Sequence, residues 1–321
     1  MAILFYAAVS NRVLIKTLSL LNKAAVKMIM GLLRLTRPAN VITAVSDILA
    51  GIAISGYFLD TSDHNVSWTP VVLLALSTMG LYAGGVVFND VFDAKLDAVE
   101  RPERPIPSKV VTKAGAAIWG ILLLLGGIIA AANISAASAA LSVAIAVCAL
   151  IYDKWCKHHF IAGPFTMGLC RGLNLLLGVS IIPAAISVWW YLALVPVVYI
   201  AAITTVSGGE VHGGNKTNLY VAVCLYIIVI TTLLAFGITL NHWHTAIIFI
   251  AGFCFMIMPP LVKAIRQPSG PLIGKAVKAG VIALILMNAA WAAAFGQIYL
   301  ACVIVVLLPV SILLARLFAV T

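Results

Sequence analysis

The chain has 321 residues, 63% of them hydrophobic and only 9% charged, with a formal net charge of +10. Soluble domains carry about 25% charged residues, so this composition excludes an ordinary water-soluble globule. Apolar runs of about 20 residues recur along the whole length and predict an all-α, polytopic membrane bundle.

The first 33 residues differ in character from the rest of the chain. Residues 1–9 are apolar, but no small-residue cleavage site comes after them and basic residues come next, which argues against a signal peptide. Across 12–35, Leu14, Ile15, Leu18, Leu21 and Ala25 share one face and Lys16, Lys23 and Lys27 lie elsewhere. That pattern fits a helix lying on a membrane surface. Met28 and Met30 are alternative starts, which would make the first 27 residues an artefact.

Residues 34–321 form a single transmembrane unit of nine to ten helices. The spans fall near 38–58, 70–92, 112–132, 135–154, 162–182, 188–207, 217–239, 244–265, 276–296 and 298–319. The last two are parted only at 297, so one broken helix is the alternative there. With the N-terminus inside, every Lys and Arg except Arg171 falls on one side of the membrane. The opposite loops (59–69, 132–135, 183–188, 240–243 and 297) contain neither residue. This alternation places both termini in the cytoplasm, with a bacterial cytoplasmic membrane as the expected home. It also accounts for the positive charge without nucleic acid.

The six cysteines are scattered through apolar segments without a C-x-x-C pair. They read as small buried hydrophobes rather than disulfides or a zinc site.

Acidic residues number only ten. Asp60 and Asp63 belong to the first external loop and Asp47 to span 1. The other seven gather at the cytoplasmic ends of spans 2, 4 and 6, where carboxylates near a bilayer tend to mark function. After span 2 the chain reads Asn89-Asp90-Val-Phe-Asp93-Ala-Lys-Leu-Asp97. On a helix Asn89, Asp93 and Asp97 step by four along one face, with Asp90 beside them. Like charges at that spacing repel, and a divalent cation removes the repulsion. All-oxygen ligands suit Mg²⁺, which shares its coordination with substrate phosphates. A solvated helix end paired with Lys95, Arg101 and Arg104 is the alternative.

Next comes Arg101-Pro-Glu-Arg104-Pro-Ile-Pro-Ser108, stiffened by its prolines. Two guanidinium groups beside a metal site suit phosphate, and ordinary positive-inside charge explains them equally well. In span 5, Arg171 and Asn174 share a helical face. An intramembrane arginine needs a partner, either a phosphate group or Asp47 in a structural ion pair. After span 4 stands Tyr152-Asp-Lys154-Trp-Cys-Lys-His158-His159, which by itself resembles an ordinary interfacial span end. After span 6 stands Ser207-Gly-Gly-Glu210-Val-His212-Gly-Gly-Asn215, either a ligand-facing backbone or a plain glycine-rich connection.

Together these segments resemble the UbiA superfamily of intramembrane prenyltransferases. Arg37-Pro-Ala-Asn40 looks like the family's opening R-P-x-N, Asn89 to Asp97 like its first Asp-rich motif, and Arg104-Pro-Ile-Pro-Ser108 like the R-P-x-P-S after that motif. The likeness runs from about residue 34 to the end. It implies helices ringed around a central cavity, and Mg²⁺-dependent transfer of a prenyl group from an isoprenyl diphosphate to a lipophilic acceptor. By position, Asn89, Asp93, Asp97 and Glu210 would bind metal, with Asp93, Asp97 and Glu210 catalytic. Arg37, Arg104 and Lys154 would hold diphosphate. Asn40, Asp47, Asp90, Tyr152, Arg171, Asn174 and His212 would line the pocket. The second motif departs from the family's D-x-x-x-D, keeping one carboxylate, Glu210. With Gly168-Leu-Cys-Arg-Gly-Leu-Asn174 in span 5, this resembles the divergent UbiA-like EboC branch. The competing functional reading is a non-catalytic member that binds or exports an apolar metabolite within a membrane complex. A CDP-alcohol phosphotransferase is set aside because its D-G-x-x-A-R signature is missing.

Overall fold

The computed structural model describes residues 25–59, 67–208 and 216–318. Among them every regular element is helical. We number the helices α1 (Pro38–Ser55), α2 (Thr69–Glu100), α3 (Lys113–Ala132), α4 (Ala136–Cys156), α5 (Ala162–Val179), α6 (Pro183–Ser207), α7 (Lys216–Thr239), α8 (Trp243–Arg266), α9 (Gly270–Ala294) and α10 (Ile298–Leu317). Nine of these are long and apolar enough to cross a membrane. The tenth, α5, carries Arg171 and Asn174, which lower its apolar character. Each predicted span thus has a helix, and the all-α bundle expected from sequence is the fold observed.

The expected surface helix over 12–35 falls mostly outside the described residues. Its described part, 25–35, is helical. The last two spans are separate helices. Gly296 turns the chain at φ +78°, a left-handed conformation that glycine adopts without Cβ strain, and α9 and α10 pack against each other.

Burial separates inner from outer helices. The apolar windows of α9 and α1 are 72% and 67% buried, against 22% for α10. Small residues bring α1 against α5. A Cβ on Gly51 would lie 2.2 Å from the Leu175 carbonyl oxygen, and one on Gly178 would lie 2.3 Å from that of Ile48. Such close backbone approach is how helices pack where lipid offers no hydrophobic drive. It sets Asp47 of α1 beside Arg171 and Asn174 of α5.

Length explains where the acidic motif sits. The 32 residues of α2 span about 48 Å at a rise of about 1.5 Å each, well beyond a hydrocarbon core of about 30 Å. The surplus turns carry Asn89 through Asp97 out to the end of the bundle where Arg37, Arg104 and Lys157 also lie, hereafter the basic end.

All six cysteines are free thiols. The expectation that they are buried holds for Cys148 alone, while Cys224 and Cys302 are exposed on the outer surface. An apolar thiol is as well solvated by lipid chains as by protein, so burial is not required of it there.

Candidate active site

The acids of α2 divide into two sets. A helix turns by about 100° per residue, so each four-residue step drifts by about 40°. Asp97 ends about 80° from Asn89 and only about 20° from Asp90. The structure obeys this drift. Asp97 Oδ2 accepts from Arg104 Nη1 at 2.7 Å, and the same nitrogen lies 3.4 Å from Asp90 Oδ1. Arg37 Nη2 donates to that Asp90 oxygen at 2.8 Å. Asn89 and Asp93 face the other way, toward the end of α4. Asn89 Nδ2 donates to Asp153 Oδ1 at 2.8 Å, and Lys157 Nζ pairs with Asp93 Oδ1. The single face expected for Asn89, Asp93 and Asp97 is therefore shared between two directions.

Local backbone chemistry sets these positions. Arg37 caps α1 with φ 47° and ψ 66°, a left-handed conformation that costs a non-glycine residue about 1–2 kcal/mol. In the proline-stiffened loop, Ser108 donates through both its amide and its Oγ to the Arg104 carbonyl, which folds Arg104 back under α2. The last turn of α4, Tyr152–Cys156, is a π-helix, a rare form that occurs frequently at functional sites. It turns Asp153 inward, where it is 4% exposed. His159 Nδ1 accepts from the amides of Ile161 and Ala162, so this histidine caps the start of α5.

Deeper in the bundle lies a second polar group. Asp47 Oδ2 accepts from Asn174 Nδ2 at 3.0 Å and sits 3.1 Å from Arg171 Nε. Asp47 Oδ1 accepts from Asn288 Nδ2 at 2.7 Å. Arg171 Nη2 reaches the Thr43 hydroxyl at 3.2 Å, and Thr78 donates to Asn174 Oδ1 at 2.7 Å. The structural ion pair and the pocket-lining role, alternatives in the sequence, are both present for Arg171, since it also lines the central cavity.

That cavity measures about 300 Å³, at the small end of ligand pockets. Arg37, Asn40, Asn89, Tyr152 and Asp153 form its polar mouth. Leu81, Ile145, Ile200, Ile203 and Leu284 make its depth apolar. Asp90, Asp93, Asp97 and Arg104 are not among its walls. Lys154 is exposed and stacks on Trp155, its Nζ 4.4 Å from the ring centroid. Glu210 and His212 lie outside the described residues.

The residues present fit a hard divalent cation. Asn89 and Asp153 stand at the mouth and Asp93 lies one helical turn beyond Asn89 on α2, outside the cavity wall; each commits one terminal atom to a protein partner while an oxygen stays uncommitted. Among the described residues no three His, Cys, Asp or Glu side chains could enclose a metal by themselves. Mg²⁺ suits such a site, because it keeps waters and relies on one or two carboxylates plus substrate phosphates.

A family model described as the UbiA prenyltransferase family matches residues 49–269. The chain belongs to that family. It is 28% identical to the digeranylgeranylglyceryl phosphate synthase of Methanothrix thermoacetophila over 71% of this chain and 87% of that protein. Its fold resembles the apo structure of a UbiA homolog from Aeropyrum pernix K1, with a TM-score of 0.64 at 14% identity over 78% of this chain and 96% of the other. A UbiA homolog from Archaeoglobus fulgidus bound to DMAPP and Mg²⁺ aligns with a TM-score of 0.55 at 15% identity, over 84% and 99%.

Several residues of this UbiA-family site were not picked out from sequence. Asp153 and Lys157 read as ordinary span-end residues because nothing in the sequence marks a π-turn. Tyr82, Thr43 and Thr78 line the cavity as unremarked members of apolar spans. Asn288, the polar residue of a span that is otherwise almost entirely apolar and small, carried a usable signal: amides are costly in a bilayer unless partnered.

Proposed function

We propose that this UbiA-family chain transfers a prenyl group from an isoprenyl diphosphate to a lipophilic acceptor inside the membrane. One observation carries the reading: a single cavity joins an apolar depth to a mouth of guanidinium, carboxylate and amide groups. The prenyl chain lies along Leu81, Ile145 and Ile203, and the diphosphate remains at the mouth. Arg37 binds its oxygens there, with Arg171 supplying a second guanidinium further in. Asn89, Asp93 and Asp153 hold the magnesium ion, and Asp97 and Glu210 remain sequence candidates for the same role. When bound, Mg²⁺ neutralises charge on the departing diphosphate.

In the reaction the bond between prenyl C1 and the diphosphate oxygen breaks, and both electrons leave with diphosphate. The acceptor's nucleophilic atom bonds to C1, and its proton departs with the diphosphate. Tyr82 and Tyr152 line the cavity where cationic character develops on the prenyl group, and aromatic ring faces attract cations. The apolar walls exclude water that would otherwise capture that carbon.

The unit responsible is residues 34–321, with the basic end and both termini in a bacterial cytoplasm, supported by the one-sided distribution of Lys and Arg. Placement in the EboC branch is supported by Gly168 to Asn174 and by the lone Glu210. The similarity to digeranylgeranylglyceryl phosphate synthases supports instead a position beside those enzymes. Membranes containing the protein, given labelled isoprenyl diphosphates and a panel of lipophilic acceptors, should form prenylated product only with magnesium. Membranes that consume no prenyl diphosphate under any of these conditions contradict the proposal.

A further inference from the structure

Among the described residues, two of the six cysteines meet. Cys148 stands on α4 and Cys170 on the neighbouring α5, and their thiols lie within hydrogen-bond reach of each other. The packing of the two helices produces the contact. Thr166 and Cys170 are four residues apart, so they share one face of α5. Cys148 lies against that face, its Sγ donating to the Thr166 carbonyl oxygen at 3.6 Å. The two thiols differ in access. Cys148 is 8% exposed, whereas Cys170 forms part of the wall of the central cavity. Tyr152 and Asp153, about one turn beyond Cys148 on α4, stand near Cys170 at the mouth. Prenyl transfer as derived above uses neither thiol.

An accessible thiol backed by a second one is the arrangement that converts a peroxide's oxidising power into a disulfide. A hydroperoxide carried on a hydrocarbon chain matches the cavity, which is apolar in its depth and polar at its mouth. We propose that Cys148 and Cys170 form an oxidation site for lipophilic hydroperoxides, at which the two thiols become a disulfide that ties α4 to α5. Cys170 reacts first because it faces the cavity. Its Sγ attacks the outer peroxide oxygen, the O–O bond breaks, and the alcohol leaves with the thiol's proton. Cys148 Sγ then attacks the sulfenic sulfur so formed, the S–O bond breaks, and water leaves with the second proton. Two thiols lose two electrons and two protons, and the hydroperoxide is reduced to an alcohol and water. A covalent bond holds the two sulfurs closer than a hydrogen bond does, so α4 and α5 draw together. Asp153, with its bond from Asn89, shifts with α4, and donor binding falls. The effect on the donor rests on the prenyl-transfer reading above, and the disulfide does not.

The test uses full-length protein purified in detergent under a reductant and then exposed to cumene hydroperoxide. Peptide mass spectrometry should find a disulfide between Cys148 and Cys170, and dithiothreitol should remove it. Oxidised protein should bind geranylgeranyl S-thiolodiphosphate at least about tenfold more weakly than reduced protein, and dithiothreitol should restore the binding. In Cys148→Ser a hydroxyl takes the place of the thiol against the Thr166 carbonyl, so binding by the unoxidised variant should stay within about twofold of wild type. After the hydroperoxide, this variant should carry a sulfenic acid at Cys170 that dimedone traps. Cys148→Ala repeats the test if the first variant misfolds. In Cys170→Ala, Cys148 should stay reduced. Wild-type protein in which both thiols survive the hydroperoxide overturns the proposal, as does a disulfide that joins either of them to a different cysteine. A disulfide between the two that leaves thiolodiphosphate binding unchanged overturns its control of the donor. Reduced wild-type protein that forms the disulfide but never binds the thiolodiphosphate supports the oxidation site and counts against prenyl transfer.

Discussion

The two polar regions of this bundle are built on opposite principles. In the inner group, both oxygens of Asp47 are taken by Arg171, Asn174 and Asn288 on two other helices. At the mouth Asp153 and Asn89, and just beyond it Asp93, each meet one partner and keep an oxygen uncommitted. A network whose central carboxylate is fully engaged ties three helices in register, whereas half-committed oxygens at a cavity mouth are available to a ligand. The contrast predicts that substitutions in the Asp47 group cost stability first and that substitutions at the mouth cost activity first.

The largest effect is expected at the mouth. Asp93→Ala should lower product formation by about 10²–10³-fold, the usual loss when one charge-stabilising group is removed from an active site. Its thermal unfolding in detergent should stay close to wild type, because the pair with Lys157 is partly exposed. A strongly destabilised Asp93→Ala protein would blur the distinction between the two regions.

Arg171→Leu should fail in the opposite way. It leaves the Asp47 carboxylate buried and short of its cation, a change that costs about 3–5 kcal/mol. Adding Asp47→Leu removes the orphaned charge and should restore much of the thermal stability. A double variant no more stable than Arg171→Leu would show that the ion pair is not what binds the inner group together.

A smaller loss is expected from wedging the helices that carry this group. Gly51→Val places atoms against the Leu175 carbonyl and should cost about 1–3 kcal/mol as α1 and α5 separate. Unfolding temperature and activity should fall together. The smallest effect is expected for Lys154→Gln. Its side chain is exposed and lies against Trp155 outside the central cavity, so the KM for prenyl diphosphate should change by less than about threefold. A larger change would return Lys154 to the diphosphate site.

Much of this was legible in the sequence because the bilayer simplifies the code. Long apolar runs and one-sided basic residues gave ten spans, and each carries a helix. Asp47 and Arg171 drew notice for the same reason, since ionised groups in hydrocarbon are costly. The step-of-four pattern in Asn89, Asp93 and Asp97 was visible too. Its cumulative drift decides which neighbour each acid meets, and that depends on where Arg104 and Lys157 fold. The placement of Lys278 was hidden entirely. It reads as one more positive-inside charge until α9 brings it beside Arg101 and Arg104.

The most direct test of the mouth's chemistry is a binding measurement on the purified protein. Calorimetric titration with geranylgeranyl S-thiolodiphosphate, which cannot turn over, isolates donor recognition from acceptor identity. Wild-type protein should bind it with magnesium and lose that binding in EDTA, and Asp93→Ala should not bind it under either condition. Binding that ignores both EDTA and the loss of Asp93 would contradict the assignment of the mouth to diphosphate chemistry.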